Sequence, residues 1–152
     1  MGNHNGVART GINLQKEVSR LKDELDEARR SMLAMTGPQA EGLLLSYFSA
    51  MGLRSGEYEA GPRARALRWL RGIAADVLRL AQVAPTHLSD RALCPLCKAS
   101  PRGPHALGFT FPEGLERHLL GIYNAHQCPV VRAALELAVE YGESLEARAS
   151  KR

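Results

Sequence analysis

All three cysteines of the chain fall between Cys94 and Cys128. Cys94-Pro95-Leu96-Cys97 sets two sulfurs two residues apart, and a chain that turns there as a knuckle presents both to one ion. After twenty intervening residues comes His118, followed by Asn124-Ala125-His126-Gln127-Cys128. Thiolate and imidazole are the donors of structural zinc sites, which take four ligands in a tetrahedron. Cys94, Cys97 and His118 supply three of them. The fourth is Cys128 or, as an alternative, His126. Eight residues of straight helix rise about 12 Å, so His126 reaches the ion of His118 only if the chain turns back at Gly121. Cys128 precedes Pro129, a residue favoured at the first position of a helix. Amide donors and the helix dipole there stabilise a thiolate, which favours Cys128.

Short elements must carry these donors. Pro112 to Leu120 reads as a helix with Leu115 and His118 on one face, the leucine for a small core and the histidine for the metal. Gly121 and Asn124 stop it. Gly108-Phe109-Thr110-Phe111 reads as a strand whose aromatics cover the site. Cys94, Cys97, an aromatic of the Phe109–Phe111 strand, Leu115 and His118 together resemble the two-Cys, two-His zinc fingers. The resemblance spans about a quarter of the chain and implies a ββα-like module around zinc. The gap from Cys97 to His118 exceeds that family's usual spacing of about twelve. The resemblance is therefore extended to metal ligation and not to positions that read DNA. A redox Cys-x-x-Cys requires a βαβ setting that the sequence lacks.

Upstream, Leu14, Val18, Leu21, Leu25, Ala28, Met32 and Met35 recur at intervals of four and three. This is a heptad pattern with Val18, Leu25 and Met32 at position a and the others at d. Glu17 and Glu24 take position g, and Lys22 and Arg29 position e. In a parallel pair, Glu17 faces Lys22 and Glu24 faces Arg29 of the other chain. Residues 11–35 therefore read as a coiled-coil dimerisation helix, with Leu14, Val18, Leu21, Leu25 and Met32 on the seam. Residues 1–10, rich in Gly and Asn, read as a disordered N-terminus.

Thr36-Gly37-Pro38 breaks that helix. Residues 39–87 read as a helical region. Gln39 to Met51 is apolar at Leu43, Leu44, Tyr47, Phe48 and Met51, and a Gly-rich loop with Glu57 and Glu59 follows. Pro62 opens a helix to about Val83 with an apolar stripe of Leu67, Leu70, Ala74, Val77 and Ala81. Arg63, Arg65, Arg68 and Arg71, with no acid among them, form a basic face able to grip phosphate oxygens. Residues 88–128 are the zinc-binding module, which includes a Pro/Gly-rich loop over 98–105 that suits contact with a partner. Residues 129–148 are a C-terminal helix with a stripe of Val131, Ala134, Leu135, Ala138 and Tyr141. Its acidic face is Glu136, Glu140, Glu143 and Glu146.

Composition bounds the rest. The chain has 152 residues, is 45% apolar but only 5% aromatic, and carries a net charge of +4. Leu and Ala must fill the core, which points to a mostly α fold. No apolar run approaches the roughly 18 residues of a membrane span, and the first residues have no signal-peptide core. A reducing setting, cytoplasmic or nucleoid-associated, follows as the expectation and favours metal over disulfide. Neither a phosphate-cradling Gly loop nor a Gly-x-Ser-x-Gly turn is present. Four protein ligands would leave a zinc ion no open position for water, so no enzymatic activity is expected. A zinc-dependent nuclease built on His105, His118, Asn124 and His126 is a lesser alternative. The sequence points to a zinc-containing, dimeric regulator or accessory factor that binds nucleic acid. A protein-interaction adaptor with purely structural zinc is the other reading.

Overall fold

A computed structural model describes residues 4–51, 61–82, 90–99, 108–123 and 125–151. Among them the chain is mostly helical, with one small antiparallel sheet. The Glu57–Glu59 loop, His105 and Asn124 lie outside the described residues, as does most of the Pro/Gly-rich loop.

Helix α1 spans His4–Ala34. It begins inside the stretch expected to be disordered, and residues 4–10 are helical. Once a helix is nucleated each further residue adds a hydrogen bond, and no proline interrupts the chain before Pro38. Gly6 and Gly11, at about 1 kcal/mol each, do not suffice to end it. Among the described side chains of α1, only those of its C-terminal part are buried: Leu33 is buried, and Asp26 and Arg29 are half-buried. Arg29 reaches Glu140 at 3.1 Å. The heptad residues point elsewhere. Leu14, Val18, Leu21 and Leu25 are each 50–62% exposed, and Met35 is 83% exposed.

Helix α2, Pro38–Ala50, follows a turn in which Thr36 Oγ1 donates to the Leu33 carbonyl at 2.6 Å. It buries Ala40 and Leu44, and Met51 just beyond it is also buried, while Leu45 is exposed. The side chains of Leu43, Tyr47 and Phe48, named from the sequence, lie outside the described set.

Helix α3, Pro62–Gln82, buries Arg65, Ala66, Leu70, Ile73, Ala74, Val77 and Ala81. The expected stripe is thus turned about the axis. Leu67 is 48% exposed, whereas Arg65 is 2% exposed. The reason lies in its neighbour, helix α5, which spans Pro129–Ala149. Arg65 Nη1 donates to Glu146 of α5 at 2.9 Å, and a buried cation requires such a partner. Helix α5 is more enclosed than a single stripe implies, burying residues from Val130 to Gly142 on most of its circumference, although Tyr141 is exposed. Its acidic side faces arginines of α1 and α3 rather than water alone.

Strand β1, Arg91–Ala92, pairs antiparallel with β2, Phe109–Thr110, with Arg91 opposite Thr110 and Ala92 opposite Phe109. Helix α4, Glu113–Leu120, follows. One continuous apolar cluster joins Leu33 of α1, Leu44 of α2, Ile73 and Val77 of α3, Cys94, Leu115 and Leu119 of α4, and Val131 of α5. A second holds Met51, Ala66, Leu135 and Val139, with Trp69 packed against it. No described helix is long and apolar enough to cross a membrane.

Candidate metal centre

The first pair of donors sits on a tight turn directly after β1. Lys98 N–H donates to the Cys94 carbonyl at 2.9 Å, and Cys94 N–H donates to the Ala99 carbonyl at 3.2 Å. Lys98 has a φ of 59°, and its ammonium caps the Pro95 carbonyl at 2.7 Å. Leu96 points into the core. The turn thereby brings the Cys94 and Cys97 sulfurs to the same side.

The third donor comes from α4. Leu115, His118 and Leu119 occupy its buried face, as the 3.6-residue period requires. Gly121 ends the helix in the left-handed conformation, φ 69°, and its N–H donates to the Arg117 carbonyl at 2.8 Å. A Cβ at Gly121 would also lie 2.8 Å from Cβ of Gln127. The chain thus reverses and returns along α4. Gln127 Nε2 donates to the Leu119 carbonyl at 3.3 Å, and Cys128 N–H donates to the His118 carbonyl at 2.8 Å.

That reversal delivers Cys128, not the ring of His126. Cys94, Cys97, His118 and Cys128 each offer one ligand atom, and these four atoms lie within 4.8 Å of one another. His126, the alternative ligand, is not among them. Its carbonyl oxygen instead lies 2.9 Å from His118 Nδ1. If Nδ1 carries the proton and donates it, Nε2 is left with its lone pair toward the sulfurs. The Cys94 and Cys128 sulfurs are 3.8 Å apart, and His118 Nε2 is 3.3 Å from the Cys97 sulfur. Tetrahedral zinc with Zn–S bonds near 2.3 Å separates two sulfurs by about 3.8 Å. The donor set and its spacing fit a metal such as zinc.

The electrostatics of the four groups are those of a cation site. Hydrogen bonding from Cys128 and Cys94 holds the Cys97 thiol far below its ordinary range, so it carries the negative charge. Cys94 is pushed far above its ordinary range by hydrogen bonding to Cys128 and Cys97 and by burial. Burial opposes a charge on His118, but hydrogen bonds to Cys128 and Cys97 outweigh it and raise the imidazole to about 9. Without a metal, this is a protonated histidine beside a shared thiolate. A divalent cation replaces those protons. The ring of Phe109 stacks on His118, centroids 4.3 Å apart at 21°, and walls one side. Cys94 and Cys128 are fully buried, whereas Cys97 is half-buried at the edge.

Cys128 is the N-cap of α5 and Pro129 opens that helix, as the sequence suggests. The fourth donor and the largest packing element are therefore adjacent in the chain. The aromatic that the sequence places over the site is Phe109; sequence reasoning missed the carbonyl of His126, because a backbone acceptor has no signature in residue type.

The basic face of α3 does not hold together as one surface. Arg63 makes two hydrogen bonds to Glu136, at 3.1 and 3.2 Å, and Arg65 is buried against Glu146. Arg79 pairs with Asp76. Arg68 and Arg71 are exposed, and neither appears in an ion pair among the described residues. The regular spacing of glutamates along α5 was the available signal for this. An acidic helix face in a chain with an arginine-rich one is a ready counter-ion.

No known protein family, curated protein or solved structure matches the chain.

Proposed function

We propose that the protein is a zinc-structured, non-catalytic accessory factor that acts as a dimer through α1 and binds a partner protein. One observation carries this reading. The heptad residues of α1 stay exposed along the part of the helix that the rest of the chain leaves uncovered, while the metal centre lies within the core that supports α5. Four donors around one point suit an ion with a structural role, with no open position for a substrate. In this reading the metal holds shape and the helical surfaces make the contacts.

Nucleic acid remains the second reading, and Arg68 and Arg71 are the observation that favours it. Among the described residues they alone of the four arginines expected to meet phosphate are exposed and outside the intramolecular pairs. Capture from a lysate with and without nuclease, using zinc-loaded protein, separates the two. A partner retained after nuclease treatment supports the adaptor reading. Loss of all bound material, with affinity for duplex or single strands falling steeply with salt and with Arg68→Ala, supports the other.

A further inference from the structure

We infer that α1 pairs with α1 of a second copy in parallel and in register, which places both metal-bearing bodies at one end of the pair. The inference rests on the dimeric reading above and specifies its geometry. Val18 and Leu25 at a, with Leu14 and Leu21 at d, suit a two-stranded coil. These side chains are half exposed or more. The described contacts of α1 with its own body begin at Asp26 and leave the seam from Leu14 to Leu25 clear; Asp26 and Leu33 lie on the side of the helix away from the seam, and Arg29, at position e, flanks it. The seam then runs on through Met32 to Met35, both exposed.

Charge selects the direction. In an antiparallel pair, g positions face g and e positions face e, which sets Glu17 and Glu24 against glutamates and Lys22 against Lys22 or Arg29. In a parallel pair, Glu17 of each chain faces Lys22 of the other. The structure removes the second attraction expected from the sequence, since Arg29 is turned to Asp26 and Glu140 of its own chain. Glu24 is instead held within its own helix by Arg20, which also grips Glu17 at the other g position. A carboxylate accepts more than one donor, so Glu17 stays available to Lys22 of the second copy. The stretch from Leu14 to Ala28 is about 20 Å long and marginal alone. It starts from a helix already anchored at Leu33, which lowers the ordering cost of pairing.

The test uses the full, zinc-loaded chain with Leu14→Cys or Ala28→Cys, two exposed d positions fourteen residues apart. Under mild oxidation both variants link to themselves in a parallel, in-register pair. An antiparallel pair links at one of them at most, because its symmetry axis passes through one level only. A dimeric mass with one link or none overturns the orientation while leaving the dimeric reading standing. A monomeric mass at about 100 µM by sedimentation overturns both. The charge argument has its own readout in the unlabelled protein. Lys22→Glu should weaken self-association about three- to tenfold, and adding Glu17→Lys should restore it. Strengthening by Lys22→Glu alone would instead indicate antiparallel pairing.

Discussion

The imidazole of His118 is fixed at both nitrogens: Nδ1 lies 2.9 Å from the backbone carbonyl oxygen of His126, and Nε2 lies 3.3 Å from the sulfur of Cys97. The residue expected as a rival ligand thus orients the true candidate, and does so with its main chain. His126→Ala keeps that carbonyl and should leave zinc stoichiometry and affinity unchanged. His118→Ala removes a donor and should weaken zinc binding by about 100-fold or more, beyond the usual loss for an outer partner. Competition with a chromophoric chelator measures both.

Metal removal should be felt as loss of fold. Cys94, Leu115, Leu119 and Cys128 belong to the same apolar cluster as Ile73 and Val77 of α3. Ligand free at 1,000 times its dissociation constant stabilises by about 4 kcal/mol, which for a chain of this size shifts the midpoint by roughly 10 °C. Thermal melts with and without a strong chelator should differ by about that much. Identical melts would dismiss the structural role of the metal.

The pH dependence of the gain from zinc has a definite sign. His118 rises from 6.5 to about 9 in the metal-free fold. A raised pKa contributes stability that is complete below about pH 6.5 and is lost as pH climbs through 9. In chelated protein the Cys97 thiol, held as thiolate, makes an equal contribution of opposite sign over that window, so stability should stay nearly flat between pH 6.5 and 9. Zinc binding displaces the His118 proton, so the stabilisation gained from zinc should grow over the same window. Denaturant midpoints of the two forms, measured from pH 6 to 9, check this.

Among the cysteines, Cys97 is the partly exposed one and the one held as thiolate. In chelated protein it should be alkylated before Cys94 and Cys128, which are fully buried. Peptide mass spectrometry after brief iodoacetamide treatment resolves the order. Zinc should suppress all three reactions.

The two arginines of α3 that pair with α5 differ in burial, and their glutamates should differ in worth. Arg65 is 2% exposed beside Glu146, and Arg63 is 56% exposed beside Glu136. Glu146→Gln should cost about 1–3 kcal/mol, since it weakens the pairing of a buried cation. Glu136→Gln should cost less than about 1 kcal/mol, the usual value of an exposed pair. Urea midpoints distinguish them.

Much of the site was legible in residue type and spacing. The Cys-x-x-Cys knuckle, the Leu115 and His118 face, and Pro129 after Cys128 are local signals, and local signals survive into the fold. The strand at Phe109 was found, whereas its partner at Arg91–Ala92 was not, because two residues give no period to read. The arginine face was misjudged for a different reason. Periodicity places Arg65 on one side of α3, but only the tertiary contact with Glu146 decides that this side is inward. The onset of α1 at His4 shows the converse, a helix continued through weak formers by cooperativity.

Cys128 stands at the first turn of the helix against which α1, α2 and α3 all pack. Anchoring that turn to an ion would set the rotational phase of the whole rod. A slip of one residue would swing Glu136, Glu140 and Glu146 by about 100°, away from Arg63, Arg29 and Arg65. One coordination bond near the front of α5 would therefore keep three distant ion pairs in alignment.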